Sequence, residues 1–153
     1  MRHPHASLHH ARAATLVEMV VIVAIIALVS GFVLPPIKRG FDRLRTRAAA
    51  QETLHAFFAA RANAIARGRR TAVILDVRGG RVLVVADGDT LLARAIGVIH
   101  GVGMTASRDS MTFFPDGLGL GGANLSVVVT RGSASDTVIV SREGRAKLGT
   151  RAR

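Results

Sequence analysis

A single carboxylate, that of Glu18, lies near the start of an apolar run that extends from Ala14 to Leu34. A helix of this length is about 31 Å long, which matches the hydrocarbon core of a bilayer. An acid inside such a segment costs roughly 2.5 to 3.5 kcal/mol on insertion scales, and is usually paired or functional. The run contains no cation. Cleavage of the chain just before the run would supply one, because it creates a charged α-amine at the start of the helix.

The other residues whose side chains could take part in catalysis or metal binding do not form a catalytic set. The serines are scattered, and His55 and His100 are far apart without a motif. A metal site is conceivable from the four histidines within residues 1–13, and Asp87 and Asp89 flank a single glycine. Two acids fall far short of the 6 to 8 oxygens that calcium prefers, so these aspartates favour a turn. We predict no enzyme and no bound metal.

The glycine-rich stretch 115–122 lacks the Lys-Ser/Thr pair of a phosphate-binding loop and lies between predicted strands, so we predict no nucleotide cofactor. The chain has no cysteine, which excludes disulfides and thiolate chemistry but leaves the redox compartment open. Its formal net charge is +11. Such a charge serves solubility, or it favours an anionic partner such as phospholipid head groups, acidic subunits or DNA.

A long helix must position Glu18. Pro35 and Pro36 close the apolar run and predict a kink there. Beyond them, apolar residues recur at steps of three and four and predict an amphipathic helix, with Gly68 placed to end it. We predict one kinked helix from about Ala14 to Arg67, against the alternative of an anchor with a separate juxtamembrane helix. The predicted buried face consists of Ile37, Phe41, Leu44, Ala48, Leu54, Phe58, Ala62 and Ile65.

After Arg70 the hydrophobic period changes from that of a helix to that of strands. Gly79-Gly80 predicts a two-residue hairpin turn, and Asp87-Gly88-Asp89 a second turn. About six strands in a largely antiparallel sheet packed on the helix would give an α+β fold. The predicted strands are 71–78, 81–86, 90–99, 111–114, 124–131 and 137–141.

The N-terminal region resembles the leader and helix start of type IV pilins and type II secretion pseudopilins. The resemblance rests on a short basic leader, Thr15-Leu16-Val17-Glu18 and the apolar helix that follows. It implies cleavage by a prepilin peptidase between Ala13 and Ala14, followed by N-methylation of the new terminus. The family usually has Gly and Phe at these two positions. Glu18 would then neutralise the N-terminus of a neighbouring subunit during filament assembly.

The C-terminal region is similar to the GspH/FimT pseudopilin family. The matching residues are Phe113, Pro115 and Gly117, then two aliphatic strands and Gly144-Arg145, and the stretch 60–68 is also in keeping. This resemblance implies a pilin-like fold in four parts. They are a leader at 1–13, a transmembrane and assembly helix at 14–36, an amphipathic half-helix at 37–68, and a β domain with a basic tail at 69–153.

The implied function is that of a minor subunit in a type II secretion pseudopilus. It would be anchored in the inner membrane by one span, with its C-terminal domain in the periplasm, and its partners would be other pilins. A related alternative is a FimT-type pilin of DNA uptake, because Gly144-Arg145-Ala146-Lys147 is similar to a DNA-contacting element of some such pilins. The candidate DNA or anion contacts are Arg142, Arg145, Lys147, Arg151 and Arg153.

A rival interpretation from another class follows from the charges that flank the apolar run. Arg2 and Arg12 precede the run, whereas five cations follow it within residues 38–47. The positive-inside rule alone would therefore place the C-terminal part in the cytoplasm, as in a single-pass anchor with a basic cytoplasmic domain. The resemblance to prepilins favours the opposite orientation.

Overall fold

The computed structural model describes residues 15–120 and 124–149, and only the backbone of residues 32–35. The proposed processing residues Ala13 and Ala14 lie outside the described residues, as do Arg151 and Arg153. The chain divides into two compact units, and the boundary between them falls between Ile37 and Lys38.

Helix α1 runs from Leu16 to Arg67 without interruption. The prediction of one long helix is therefore confirmed, and the alternative of a separate juxtamembrane helix is wrong. The helix continues through Pro35 and Pro36, although each proline removes a backbone donor. The bend at these prolines stays a prediction.

A left-handed glycine ends helix α1. Gly68 has a φ of +62°, a conformation that residues with a Cβ rarely adopt. The amide of Arg69 donates to the carbonyl of Ala64 at 3.3 Å, and the amide of Gly68 donates to that of Ile65 at 3.4 Å. These two bonds satisfy carbonyls that the last turn would otherwise leave unpaired. The predicted helix end is confirmed.

The part of α1 in the first unit has the length and composition of a membrane span. Among the described residues it is the one helix that passes this test, and its most apolar stretch buries none of its surface within the protein. Large side chains on every side of this stretch are exposed, from Leu16 at 80% to Val29 at 52%. The core helix of a soluble protein would instead be mostly buried.

In the second unit, α1 buries a face of mostly small residues. Phe57 is the one large apolar side chain on this face, and it is 1% exposed. The predicted face was wrong for its large residues Phe41, Leu44, Phe58 and Ile65, which are between 46% and 68% exposed, whereas Leu54 is partly buried against the core. At 100° per residue they lie across the helix from the buried residues. The buried face consists of Asp42, Thr46, Ala49, Ala50, Thr53, Ala56, Phe57, Ala60 and Ala64.

In the part of the chain that the structure describes, nine strands and a short helix follow α1. In chain order they are β1 Thr71–Asp76, β2 Arg81–Ala86, β3 Asp89–Arg94, α2 Ile96–His100, β4 Gly103–Ala106, β5 Ser110–Phe113, β6 Gly119–Leu120, β7 Leu125–Arg131, β8 Ala134–Val140 and β9 Ala146–Leu148.

These strands form two sheets rather than the single sheet expected. One sheet has the order β3-β2-β1-β5-β6, the other has the order β4-β7-β8-β9, and neighbouring strands in both are antiparallel. Alternate residues of β1, β2, β7 and β8 point inward, and they share one hydrophobic core with the buried face of α1. The α+β, pilin-like fold class is confirmed, with two sheets over the helix.

The predicted strand at 90–99 was half wrong, because β3 ends at Arg94 and α2 begins at Ile96. The cause is a close backbone contact with the loop after β1. The amide of Gly97 donates to the carbonyl of Gly80 at 2.8 Å. A Cβ on Gly97 would lie 2.9 Å from the Cα of Gly80. This contact fixes α2 and turns Ile96 into the core, where it is fully buried.

The two turns predicted at Gly79-Gly80 and at Asp87-Gly88-Asp89 differ in outcome. Asp87 and Gly88 join β2 to β3 with φ values of +53° and +89°, as a two-residue hairpin turn requires. The turn expected at Gly79-Gly80 is instead a four-residue loop, since Asp76 pairs with Arg81. There the amide of Gly79 donates to Oδ1 of Asp76 at 2.8 Å.

Adjacent phenylalanines on α1 test which face is buried. We expect Phe57→Ala to lower the free energy of unfolding of the second unit by about 3 to 5 kcal/mol, because it leaves a cavity in the core. The matched Phe58→Ala change should cost less than about 1 kcal/mol, because that side chain is 46% exposed. Urea unfolding of the unit from Lys38, followed by circular dichroism, measures both. Equal losses would contradict this assignment of faces.

Candidate functional site

Glu18 lies in the first turn of α1, and its side chain is exposed. Its backbone amide donates to the Thr15 hydroxyl at 3.2 Å, so Thr15 caps the helix. The spacing Thr-x-x-Glu is that of a capping box, in which the acid faces the helix start. A carboxylate at this position is also favoured by the helix dipole. Local geometry therefore holds Glu18 beside the N-terminus of α1, where a cationic partner would meet it.

The exposed large side chains of α1 in the second unit form an apolar stripe, which we define as Phe41, Leu44, Phe58 and Ile65. Exposure is 62% for Phe41, 68% for Leu44, 46% for Phe58 and 49% for Ile65. Ala48 and Ala62 fall on the same side at helical spacing. The side of α1 that faces away from the sheets is thus largely apolar at its two ends, with exposed Gln51 and His55 between them.

The described basic residues near the C-terminus, Arg142, Arg145 and Lys147, lie one after another along one edge of the second sheet and do not form a single patch. Arg142 and Arg145 belong to the turn after β8, and Lys147 lies on the edge strand β9 opposite Ile139. All three are exposed. Arg145 pairs with Glu143 at 2.5 Å. The basic segment is therefore ordered as a turn and a strand as far as Leu148.

Three of the residues that carry the resemblance to GspH/FimT proteins, Arg61, Gly117 and Gly144, meet at one place, which we call the glycine junction. Arg61 of α1 donates from Nε to the carbonyl oxygen of Gly117 at 3.0 Å. A Cβ on Gly144 would lie 2.0 Å from that same oxygen. Gly117 and Gly144 have φ values of +79° and +75°. Only glycine satisfies both the backbone conformation and the close approach.

The glycine junction also explains the order of the C-terminal turn. The amide of Gly119 donates to the carbonyl of Arg142 at 2.9 Å, and the amide of Gly144 donates to that of Ser141 at 3.0 Å. The turn that presents Arg142 and Arg145 is therefore tied to the loop after β5 and, through Arg61, to α1. Sequence reasoning identified the two glycines and included Arg61 only within the stretch 60–68, without predicting its contact with Gly117.

A second polar cluster, near the start of the second unit, was not predicted at all. Nε of Arg131 donates to Oδ1 of Asp42 at 2.9 Å. Its Nη1 donates to the carbonyls of His100 and Gly101, both at 2.8 Å. One guanidinium thus connects α1, the end of α2 and β7. Asp42 and Arg131 are 89 positions apart in the chain, so no local sequence pattern predicts this ion pair.

Several of the described histidines and acids make structural contacts, and the described residues show no metal centre. No group of three His, Asp or Glu residues in ranges 15–120 and 124–149 has the geometry to hold an ion. Nε2 of His100 lies 2.7 Å from Oε2 of Glu52. Asp87 accepts a hydrogen bond from Arg69 at 2.9 Å. This hydrogen bond, together with the charge of Asp87, raises the pKa of Arg69 above its ordinary value.

Comparison with known proteins assigns a family to this arrangement. The model of the family described as "Type II transport protein GspH" matches residues 49–144, which is more than half of the chain. The chain belongs to the GspH family. The match begins on the buried face of α1 and ends at Gly144 of the glycine junction. Glu18 lies outside it.

Two solved structures share the fold of this GspH-family chain. The type IV minor pilin FimU of Pseudomonas aeruginosa is 16% identical with a TM-score of 0.60, over 71% of this chain and 90% of FimU. The minor pseudopilin EpsH from the Type 2 Secretion System of Vibrio cholerae is 13% identical with a TM-score of 0.56, over 68% of this chain and 95% of EpsH. None of the curated proteins compared with the chain is a match.

The glycine junction of this GspH-family domain makes a quantitative prediction. We expect Gly144→Ala to destabilise the second unit by at least about 2 kcal/mol more than Gly88→Ala, when both are measured by urea unfolding. Both glycines have positive φ, so both substitutions carry a similar backbone cost of about 1 to 2 kcal/mol. A Cβ at Gly88 meets no described atom within 4 Å, whereas at Gly144 it meets the carbonyl of Gly117. Equal costs would show that the junction tolerates a side chain.

Proposed function

We propose that this GspH-family chain is a minor pseudopilin that assembles through α1 into the pseudopilus of a type II secretion system. The observation that carries the proposal is the apolar stripe Phe41, Leu44, Phe58 and Ile65. It lies on the side of α1 opposite the sheets, and no described residue covers it. Large exposed apolar residues that share one helix face mark an interaction site, and here two exposed polar residues, Gln51 and His55, separate Leu44 from Phe58 on that face.

Helices of neighbouring subunits are the partners that fit this stripe. Burying a large apolar side chain stabilises by roughly 1.5 to 3 kcal/mol when the burial is complete. Four half-exposed residues spread over positions 41 to 65 therefore offer several kcal/mol to a helix that packs along them. Small residues between them, Ala48 and Ala62, leave room for close approach.

Before assembly the subunit would be a precursor anchored in the inner membrane by the first part of α1, with its second unit in the periplasm. A prepilin peptidase would cut between Ala13 and Ala14, and the new α-amine would be N-methylated. In the filament, Glu18 would pair with the N-terminus of a neighbouring subunit. This ion pair offsets the cost of an acid in an apolar bundle and sets the axial register.

Substitution of Glu18 tests this assembly mechanism. We expect Glu18→Ala and Glu18→Gln to reduce incorporation into filaments at least about tenfold, because the buried N-terminus of the neighbour loses its counter-ion. Glu18→Asp should retain partial incorporation, because it keeps the charge. Immunoblotting of sheared filaments measures incorporation, and carbonate extraction of membranes shows whether each variant is still inserted.

Thr15→Ala is the matched control, since it removes the helix cap and leaves the acid in place. If Thr15→Ala abolishes incorporation and Glu18→Gln does not, Glu18 acts only at the helix cap. Mass spectrometry of the wild-type subunit should show an N-terminus at Ala14. An intact Met1 would overturn the processing step and favour the anchor with a cytoplasmic basic domain, and a cut near Gly31 would indicate a secreted protein.

One observation favours a second candidate function, DNA contact by a FimT-type minor pilin. The glycine junction fixes a turn whose cations Arg142 and Arg145 are exposed, and Lys147 continues along the same edge. Phosphate contacts need cations held in place but no particular base edge. Lysine serves here as a point charge, without the bidentate fork of arginine.

Titration of duplex DNA at several salt concentrations tests this second function. If the C-terminal edge binds DNA, the unit from Lys38 should bind with an affinity that falls as salt rises. Arg142→Ala and Lys147→Ala should each reduce the salt slope by about 1. Arg78→Ala is the control, because Arg78 is exposed on a distant loop. If the unit shows no salt-dependent binding, or if Arg78→Ala changes the salt slope as much as Arg142→Ala and Lys147→Ala do, the hypothesis of a role in DNA uptake is rejected.

A further inference from the structure

A run of cations begins directly after the membrane-length part of α1. Five basic residues lie within ten positions, against the single acid Asp42, and all five are exposed. They are Lys38, Arg39, Arg43, Arg45 and Arg47. Neither the apolar stripe nor the ion pair of Glu18 uses them.

The contacts of these cations divide them into two groups. Arg45 donates to the carbonyl of Ile99 at 3.4 Å, and Arg47 lies 3.9 Å from Asp136. Lys38, Arg39 and Arg43 make no hydrogen bond or ion pair with any residue in ranges 15–120 and 124–149. We call these three residues the basic collar.

The one acid nearby does not neutralise the basic collar. Asp42 is 9% exposed, and its carboxylate accepts a hydrogen bond from Arg131 at 2.9 Å. The basic collar therefore presents three uncompensated positive charges within about two turns of helix. Such a surface attracts anions, and the attraction weakens as salt rises.

The basic collar does not coincide with the apolar stripe. At 100° per residue, Lys38, Arg39 and Arg43 occupy one side of α1, whereas Phe41 and Leu44 project from the other. A neighbouring helix can pack along the stripe while the collar contacts something else. The collar therefore serves a different partner.

Position along α1 identifies the partner. Lys38 follows Leu16 by about 33 Å of helix, and the hydrocarbon core of a bilayer is about 30 Å thick. The basic collar then falls within the head-group layer, where the side chains of Lys and Arg extend toward lipid phosphates. DNA or an acidic protein would have to reach cations at lipid depth, so the geometry favours lipid.

We propose that the basic collar binds the phosphate groups of anionic phospholipids at the membrane face next to residue 38. This inference rests on the proposed insertion of α1 in a membrane. The bound lipids hold α1 at a fixed depth, and the contacts must break when the subunit leaves the bilayer for the filament. The lipid head groups also supply the counter-charge for cations that otherwise oppose export of the second unit.

Spin-label electron paramagnetic resonance on the full chain reconstituted in phosphatidylcholine vesicles tests the proposal. Trace spin-labelled phosphatidylglycerol or phosphatidylcholine reports the fraction of lipid that the protein immobilises. We expect selectivity for phosphatidylglycerol of at least about threefold, decreasing at high salt. The triple variant Lys38→Gln, Arg39→Gln, Arg43→Gln should lower this selectivity to about one.

The matched control is Arg67→Gln, Arg78→Gln, Arg81→Gln, which removes three exposed charges from the same unit and should keep the selectivity. No selectivity in the inserted wild type, or equal losses in both variants, overturns the proposal. Selective loss of duplex DNA binding in the collar variant, without lipid selectivity, would assign the collar to nucleic acid. Carbonate extraction separates failure of lipid binding by the basic collar from failure of the proposed membrane insertion of α1. A chain that carbonate extracts from the vesicles is not inserted, which refutes membrane anchoring itself.

Discussion

The packing of small residues of α1 against two sheets is the constraint on which the second unit depends. Alanines at 49, 50, 56, 60 and 64 are buried to 1% exposure or less, beside Thr53 and Phe57. Small side chains let the strands approach the helix closely, so inward-facing valines of both sheets reach one core. This leaves no room on that side for Phe41, Leu44, Phe58 or Ile65. The fold of the domain thus creates the surface through which we propose it assembles.

Polar contacts fix the two ends of this packing. At the N-terminal end, Arg131 joins Asp42 to the carbonyls of His100 and Gly101 at the end of α2, and the bond to Asp42 is charge-assisted and nearly buried. At the other end, Arg61 holds the carbonyl of Gly117 beneath Gly144. The helix therefore cannot slide along its axis relative to the sheets without breaking one of these contacts. A fixed register is what a subunit needs if its apolar stripe is to meet a neighbour at a defined height.

The sequence predicts elements that depend on local pattern and misses those that depend on distant contacts. The end of α1 at Gly68 and the turn at Asp87-Gly88 follow from residues whose backbone conformation is visible in the chain. Helix α2 does not, because the contact of Gly97 with Gly80 overrides the apolar alternation. The prediction chose the wrong face of α1 as the buried one, because it assumed that the largest apolar side chains are the buried ones. Alanine and threonine carry a weaker signal than phenylalanine, yet close packing selects them here.

In the second unit, α1 of this GspH-family chain has two sides. One is packed on the sheets and carries the basic collar at its N-terminal end, and the other presents the large apolar residues. In the assembly that we propose, association of the stripe with other helices would gain apolar burial, whereas withdrawal of the collar from anionic lipid would lose electrostatic contacts. Transfer from bilayer to filament would then depend on these two terms together with the ion pair of Glu18. Salt would screen both electrostatic terms, so it would weaken the hold of the lipid and the pairing in the filament alike.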